Sequence, residues 1–370
     1  MNHLLGVTRL LEQGIEAGLH PGAQVYVALN GEVVADFAVG QSRLGVAMRP
    51  DRLMGWLSAT KPVMAVAIGR LWQQGLVNLE ERVAFYIPEF AAHNKESITI
   101  RHLLTHTGGF RSVVDLDWDI GAWHETIQRI CTGRLEHDWR PGYKAGYHAA
   151  SGWFILGEVL RRLDGRAPEH YVRDEILLPL GMEDSWVGMP PERFQAYGDR
   201  LALLYNTTKN EPKIQEKRAA EVLATRTNPG VGGRGPMREL GRVYEMLLNQ
   251  GQTATGAILN PQTVAALTAR HRVGLFDQTF RHVMDWGLGF VLNSRLNGTH
   301  VPYGYGQHAS LRAFGHGGRQ SCVGFADPEY GLAVAIAVNG MPGEERHRKR
   351  FDALLTQLYE DLGLAKAANS

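Results

Sequence analysis

Ser58 and Lys61 stand three residues apart at the head of an apolar stretch, with Tyr147 and His316-Gly317-Gly318 far downstream. A serine hydroxyl is a poor nucleophile at neutral pH and needs a neighbour to remove its proton. On a helix, residues i and i+3 share a face, so the Lys61 amine can reach the Ser58 hydroxyl. Pro62 predicts that this helix begins near Ser58, because proline fits only in the first turn, where backbone N–H groups lack helical partners. The hydroxyl then lies at the positive end of the helix dipole, which favours an alkoxide or oxyanion. Read alone, the pair is equally a helix cap with a solvated lysine. Its surroundings favour chemistry. Trp56 precedes it and the run from Val63 to Leu71 is apolar nearly all round. Such a setting desolvates an ammonium and lowers its pKa toward ~7–8, where it serves as a general base.

Trp139-Arg140-Pro141-Gly142 leads to Tyr147-His148-Ala149-Ala150-Ser151. A phenol with its usual pKa of about 10 is a weak base at neutral pH. An adjacent Lys61 ammonium favours the phenolate, whereas a neutral Lys61 accepts the serine proton itself. The shared proton belongs to the pair at this stage. The glycines of Gly315-His316-Gly317-Gly318 let an acyl group lie close to the backbone.

Ser-x-x-Lys, a tyrosine after a Pro-Gly turn and a late His-Gly-Gly, in that order, resemble the motifs of serine β-lactamase-like hydrolases. The pattern is most similar to the class C β-lactamase and family VIII carboxylesterase branch, related to penicillin-binding proteins. The segments 100–109, 179–182 and 325–328 resemble that branch as well, and the likeness runs from about residue 20 to about residue 340. The resemblance implies that Ser58 is acylated, that Lys61 and Tyr147 handle its proton, and that the backbone N–H groups of Ser58 and Arg319 form the oxyanion hole. It places His316, Gly317 and Gly318 along the substrate, with His316 where many lactamases have lysine. Two departures bear on substrate. Ala149 stands where lactamases carry an amide side chain. Arg319 stands where relatives have a small residue, and offers a cation to a substrate carboxylate or faces solvent.

The elements that would position these groups are readable in outline. Leu4, Val7, Leu11 and Ile15 recur at helical spacing. Residues 25–29 and 33–37 flank Asn30-Gly31, which predicts a β-hairpin. The helix from Ser58 runs to about Gly75 and is expected to be buried on most sides. Strands are predicted at 286–292, 322–326 and 332–338, then a last helix marked by Phe351, Leu354, Leu355, Leu358 and Leu362. The fold expected is α+β. An antiparallel sheet from N- and C-terminal segments (1–78 and 246–370) is flanked by helices, with a mainly helical region (79–245) inserted and the active site between them. Residues 205–218, polar and rich in breakers, are expected to form an exposed, mobile loop.

Of the 370 residues, 44% are apolar and 21% charged, with a net charge of +1, so bulk electrostatics suggest neither a nucleic-acid nor a membrane partner. Two cysteines are too few for a disulfide scaffold. The N-terminus shows no basic region followed by an apolar core, and a cytoplasmic protein is expected. His102 and His106 are spaced i,i+4 but lack the third ligand and glutamate of a zinc motif. Asp115, Asp117 and Asp119 read as a cleft-rim loop, and residues 346–350 as the solvated face of the last helix. The expectation is a cofactor-free, metal-free serine hydrolase that cleaves small-molecule esters of small or medium acyl groups. The alternatives are an acyltransferase, a β-lactamase or D-amino-acid peptidase or amidase, and a non-catalytic binding protein.

Overall fold

The computed structural model describes residues 4–111, 121–209, 211–298 and 301–365. Helix α1 (Leu5–Glu16) leads into strands β1 (Gly22–Leu29) and β2 (Glu32–Arg43). Asn30 and Gly31 both take positive φ, at 52° and 81°, as a two-residue hairpin turn requires. Val46–Ala47 (β3), Val291–Leu292 (β4), Phe314–Gly318 (β5), Cys322–Asp327 (β6) and Leu332–Val338 (β7) complete a seven-stranded antiparallel sheet, ordered β4-β5-β6-β7-β1-β2-β3. The first strands thus pair with the last, Val25 opposite Ile336. Strands β6 and β7 are buried along their whole length, so both sheet faces are covered.

One face carries α1 and the last helix α5 (Glu344–Asp361), whose Phe351, Leu354, Leu355 and Leu358 pack with Val25, Val27, Val334 and Ile336. The other face carries the helical body. There α2 (Lys61–Gln73), α3 (Ser151–Asp164) and α4 (Met237–Leu248) share one core with Tyr26, Ala335 and Ala337. Helix α2 buries Pro62 through Gly69 without interruption. Full burial of an aliphatic side chain is worth about 1.5–3 kcal/mol, which fixes the base of the cleft. Buried Asp327 ties the sheet to its cover, accepting hydrogen bonds from Ser310 N at 2.7 Å and Tyr359 Oη at 2.9 Å.

Several expectations change. Within 286–292 only Val291–Leu292 joins the sheet, because Gly287 and Gly289 break the run and Gly289 takes φ 85° against Ala65. Residues 205–218 are not one loop. Tyr205–Asn206 pairs with Gly340–Met341 and with Lys213–Ile214, and Tyr205 is buried. Arg350 does not lie on a solvated face; it donates to the carbonyls of Leu19, Gln320 and Gly340. The triplet Asp115, Asp117 and Asp119 lies outside the described residues. No described helix is long and apolar enough to cross a membrane.

Candidate active site

Ser58 sits on a 3-10 turn, Leu57–Thr60, that runs straight into α2. The α-helix therefore begins at Lys61, one turn later than the position of Pro62 alone suggests. In a 3-10 turn, side chains at i and i+3 eclipse, which brings Lys61 over Ser58. Leu57 takes φ 50°, a conformation costing a bulky residue about 1–3 kcal/mol. Surrounding bonds hold it there. Trp56 donates its N–H to Gly233 O and its indole Nε1 to Gly235 O, Cys322 Sγ donates to Trp56 O, and Thr60 Oγ1 spans Leu57 O and Gly233 N. Glycine is needed at 233 and 235, since a Cβ would strike Trp56 and Ser185.

Lys61 is wholly buried, and its Nζ lies 3.3 Å from Ser58 Oγ, 2.9 Å from Ala149 O and 2.9 Å from Gly230 O. Burial pushes its pKa well below that of an ordinary lysine. A neutral amine has two N–H donors and one lone pair. Ser58 Oγ and the two carbonyls thus surround Nζ, and any neutral fraction of the amine keeps a lone pair able to take the serine proton.

Tyr147 Oη lies 2.7 Å from Ser58 Oγ. Three successive backbone N–H groups pin its loop. Gly146 N donates to His106 O, Tyr147 N to Asp277 Oδ1 and His148 N to His106 Nδ1, at 3.0, 3.1 and 3.0 Å. The Tyr147 ring packs against those of His106 and Phe280, each with centroids 4.8 Å away. Burial pushes the phenol above its ordinary range, so it is a hydroxyl donor at neutral pH.

Asp277 is the anchor of this wall. It is fully buried, accepts from Thr279 N and Phe280 N, and pairs with the equally buried Arg272 at 3.0 Å. Asp277→Ala leaves that guanidinium buried and uncompensated, which costs about 3–5 kcal/mol. Urea denaturation should show that loss, together with a fall in activity as the Tyr147 loop loosens.

His316 turns Nδ1 toward Gly317 O at 2.7 Å, and its buried Nε2 has no hydrogen-bond partner among the described residues; the ring lies 5.9 Å from that of Tyr147. Gly317 admits the Tyr303 ring, and Gly318 lies against Trp56 O and Leu57. The Arg319 side chain is half exposed, with Nε 3.9 Å from Glu344 Oε1. Ser58, Tyr147, His316, Gly317 and Arg319 all line one cavity of about 1790 Å³. His102 Nδ1 accepts Thr99 N, so the i,i+4 histidines serve a helix cap and the Tyr147 loop.

Burial holds His148 and His316 down at about 3. Between the ordinary histidine pKa of about 6.5 and that value, the unfolded chain binds protons that the native protein does not, so stability falls as pH drops. Denaturant midpoints at pH 7, 5 and 4 should decrease in that order. His148→Gln and His316→Gln should each flatten the trend.

A serine, an amine and a phenol thus converge beside the glycines of β5, an arrangement suited to chemistry on a serine hydroxyl. The chain belongs to the Beta-lactamase family, whose match covers residues 7–358. It is 28% identical to esterase EstB of Burkholderia gladioli over 363 residues, covering 87% of this chain and 88% of that one. It is 26% identical to the esterase/beta-lactamase LipL of Mycobacterium tuberculosis over 348 residues, 86% and 77% of the two chains. The crystal structure of a family VIII carboxylesterase superposes with a TM-score of 0.79 at 26% identity, covering 96% of this chain and 98% of that one. A serine hydrolase of the esterase/β-lactamase type follows.

The pattern of motifs pointed to Ser58, Lys61 and Tyr147, and these three meet. It missed the carbonyls of Ala149 and Gly230, and the Arg272–Asp277 pair. Any residue offers a carbonyl, so only Gly230, where a Cβ would meet Ala149 O and Trp153, left a trace.

Proposed function

We propose that the protein hydrolyses carboxylic esters of small and medium acyl groups through an acyl-enzyme on Ser58. The observation that carries this reading is the placement of Ser58 Oγ between Tyr147 Oη at 2.7 Å and the desolvated Lys61 Nζ at 3.3 Å. Lys61 takes the serine proton as Oγ attacks the ester carbon. The N–H groups of Ser58 and Arg319 receive the oxyanion, an arrangement in which each donor is typically worth ~2.7–4 kcal/mol. On collapse, Tyr147 gives its phenolic proton to the leaving alkoxide, and the Lys61 ammonium passes the serine proton to the phenolate, restoring both groups. Water then attacks the acyl carbon, its proton returning to the Tyr147/Lys61 pair, and Ser58 leaves protonated. The esterase names of the two relatives support this choice of substrate. So does Ala149, which has no side-chain amide to hold a lactam substituent and contributes only its carbonyl to Lys61.

Tyr147→Phe keeps the ring packing but removes the proton donor. General acid–base catalysis contributes typically 10²–10⁴-fold, and kcat should fall by about that factor with KM little changed. Steady-state kinetics on p-nitrophenyl esters read this directly. The reading as a whole is tested by a panel of acyl esters with and without alcohol or amine acceptors, and by a chromogenic cephalosporin. Hydrolysis of short esters should dominate; acyl transfer exceeding hydrolysis, or faster cephalosporin opening, would refute it.

A further inference from the structure

A second cavity, of about 60 Å³, lies behind the nucleophile turn. Arg218, Arg226 and Arg234 all line it, and no acidic residue does so among the described residues. Arg234 belongs to the strand Gly233–Gly235 that locks Trp56 in place. Its guanidinium donates to the Arg218 carbonyl at 3.3 Å and forms no ion pair with a described residue. Burial holds it down at about 10, and no carboxylate of a described residue pairs with it. At neutral pH it remains a cation. Arg218 and Arg226 line the same cavity from the neighbouring 218–226 segment.

A separate observation points into the same space. Ser321 lines the cavity, is 2% exposed, and its buried Oγ, next to the weak acceptor Cys322 Sγ, has no nitrogen or oxygen partner among the described residues. Its backbone groups are already engaged, with N–H to Gly318 O and carbonyl to Val338 N. A buried hydroxyl with no oxygen or nitrogen acceptor is costly and suits a stronger acceptor such as an oxyanion. Guanidinium forks and a hydroxyl donor together match the oxygens of a small oxyanion.

We propose that this cavity binds a small oxyanion, held by Arg234, Arg218 and Ser321, as a structural and activating ligand. Its volume excludes a whole ester substrate. Leu57 and Ser321 both border it. One precedes the nucleophile and the other follows Arg319 by two residues, so an occupant braces both turns that carry Ser58 and Arg319. Two sources share the chemistry: free phosphate and the carboxylate of an anionic substrate reaching past Leu57 and Val231, which border both cavities.

The test compares parent, Arg234→Met and Arg234→Lys in low millimolar sodium phosphate and in a bulky morpholine sulfonate at matched ionic strength. A ligand binding only the native state raises Tm, here by roughly 2–4 °C at saturation. The parent should show that rise in phosphate alone, Arg234→Met should lose it and Arg234→Lys should restore part of it. Turnover of a neutral ester rising with phosphate assigns free anion. A preference for monoethyl succinate over ethyl butyrate, lost in Arg234→Met, assigns a substrate carboxylate. Equal parent Tm in both buffers with no preference for the succinate ester would overturn the proposal, whether or not Arg234→Met folds. The thermal readout is independent of the esterase reading, which is tested by whether the parent turns over either ester.

Discussion

Ser58→Ala should abolish ester hydrolysis, lowering kcat by about 10⁴–10⁶-fold, the loss expected when a unit of nucleophile and base is disabled. The size of the effect follows from geometry. Oγ accepts from Tyr147 Oη at 2.7 Å and lies 3.3 Å from Lys61 Nζ, so its removal takes away both the nucleophile and the proton the pair handles. Alanine leaves the lysine, the phenol and the glycine-lined strand in place, but water in the gap gains neither a covalent intermediate nor the fixed aim of the 3-10 turn. Stability should change little, because Ser58 makes no other side-chain hydrogen bond among those described. Substrate affinity should persist. The mutant therefore separates binding from chemistry, with steady-state kinetics and a thermal melt as the two readouts.

Lys61→Met should lower kcat by about 10³–10⁵-fold, and Lys61→Arg should be no better. The comparison distinguishes two roles that a lysine could fill. If Lys61 acted as a fixed positive charge, arginine would replace it in part. The structure argues for the neutral amine. The site is fully buried, no carboxylate pairs with Nζ among the described residues, and burial lowers the lysine's pKa well below its ordinary value. Arginine stays protonated at any ordinary pH and has no lone pair to offer. Methionine fills similar volume and spares the cost of a buried amine, but leaves Ala149 O and Gly230 O without donors, each loss worth about 1–3 kcal/mol. Circular dichroism and denaturant midpoints should therefore show a folded, modestly destabilised protein alongside the kinetic loss.

Much of the framework was legible from local pattern. The Asn30-Gly31 hairpin, the largely apolar α2 and the terminal helix with Phe351, Leu354, Leu355 and Leu358 each carry a signal within a few residues. The pairing of β1 with β7 was expected only because strand-like runs lay at both ends of the chain. The site's three side chains were legible as type, spacing and order. What supports them was not. Asp277 and Arg272 sit in a polar stretch and look like surface charges; folding alone takes them to zero exposure beneath Tyr147. The strand Gly233–Gly235 hides in a glycine-rich run whose composition suggests a loop, although its glycines are set by contacts with Trp56 and Ser185. Arg350 misled for a related reason. In the run 346–350 it shares the charge of its neighbours, but its position on α5 aims it at three carbonyls from three separate segments. Long-range hydrogen bonding of this kind leaves no periodicity to read.

The cleft also shows how function bends local rules. Leu57 at φ 50° and a lysine buried with no counter-ion among the described residues both oppose stability. Each is held by surrounding structure, the former by Trp56 and Thr60, the latter by Ala149 and Gly230. Such strained or desolvated groups cluster where chemistry needs a fixed hydroxyl and an uncharged base.

Intact-mass spectrometry after brief exposure to an activated ester such as p-nitrophenyl acetate, on parent and Ser58→Ala side by side, probes the covalent step itself. The account predicts a single acetyl adduct on the parent, mapped to Ser58 by peptide sequencing, and none on the alanine variant. An adduct of equal occupancy on both proteins, or rapid turnover by Ser58→Ala, would contradict it.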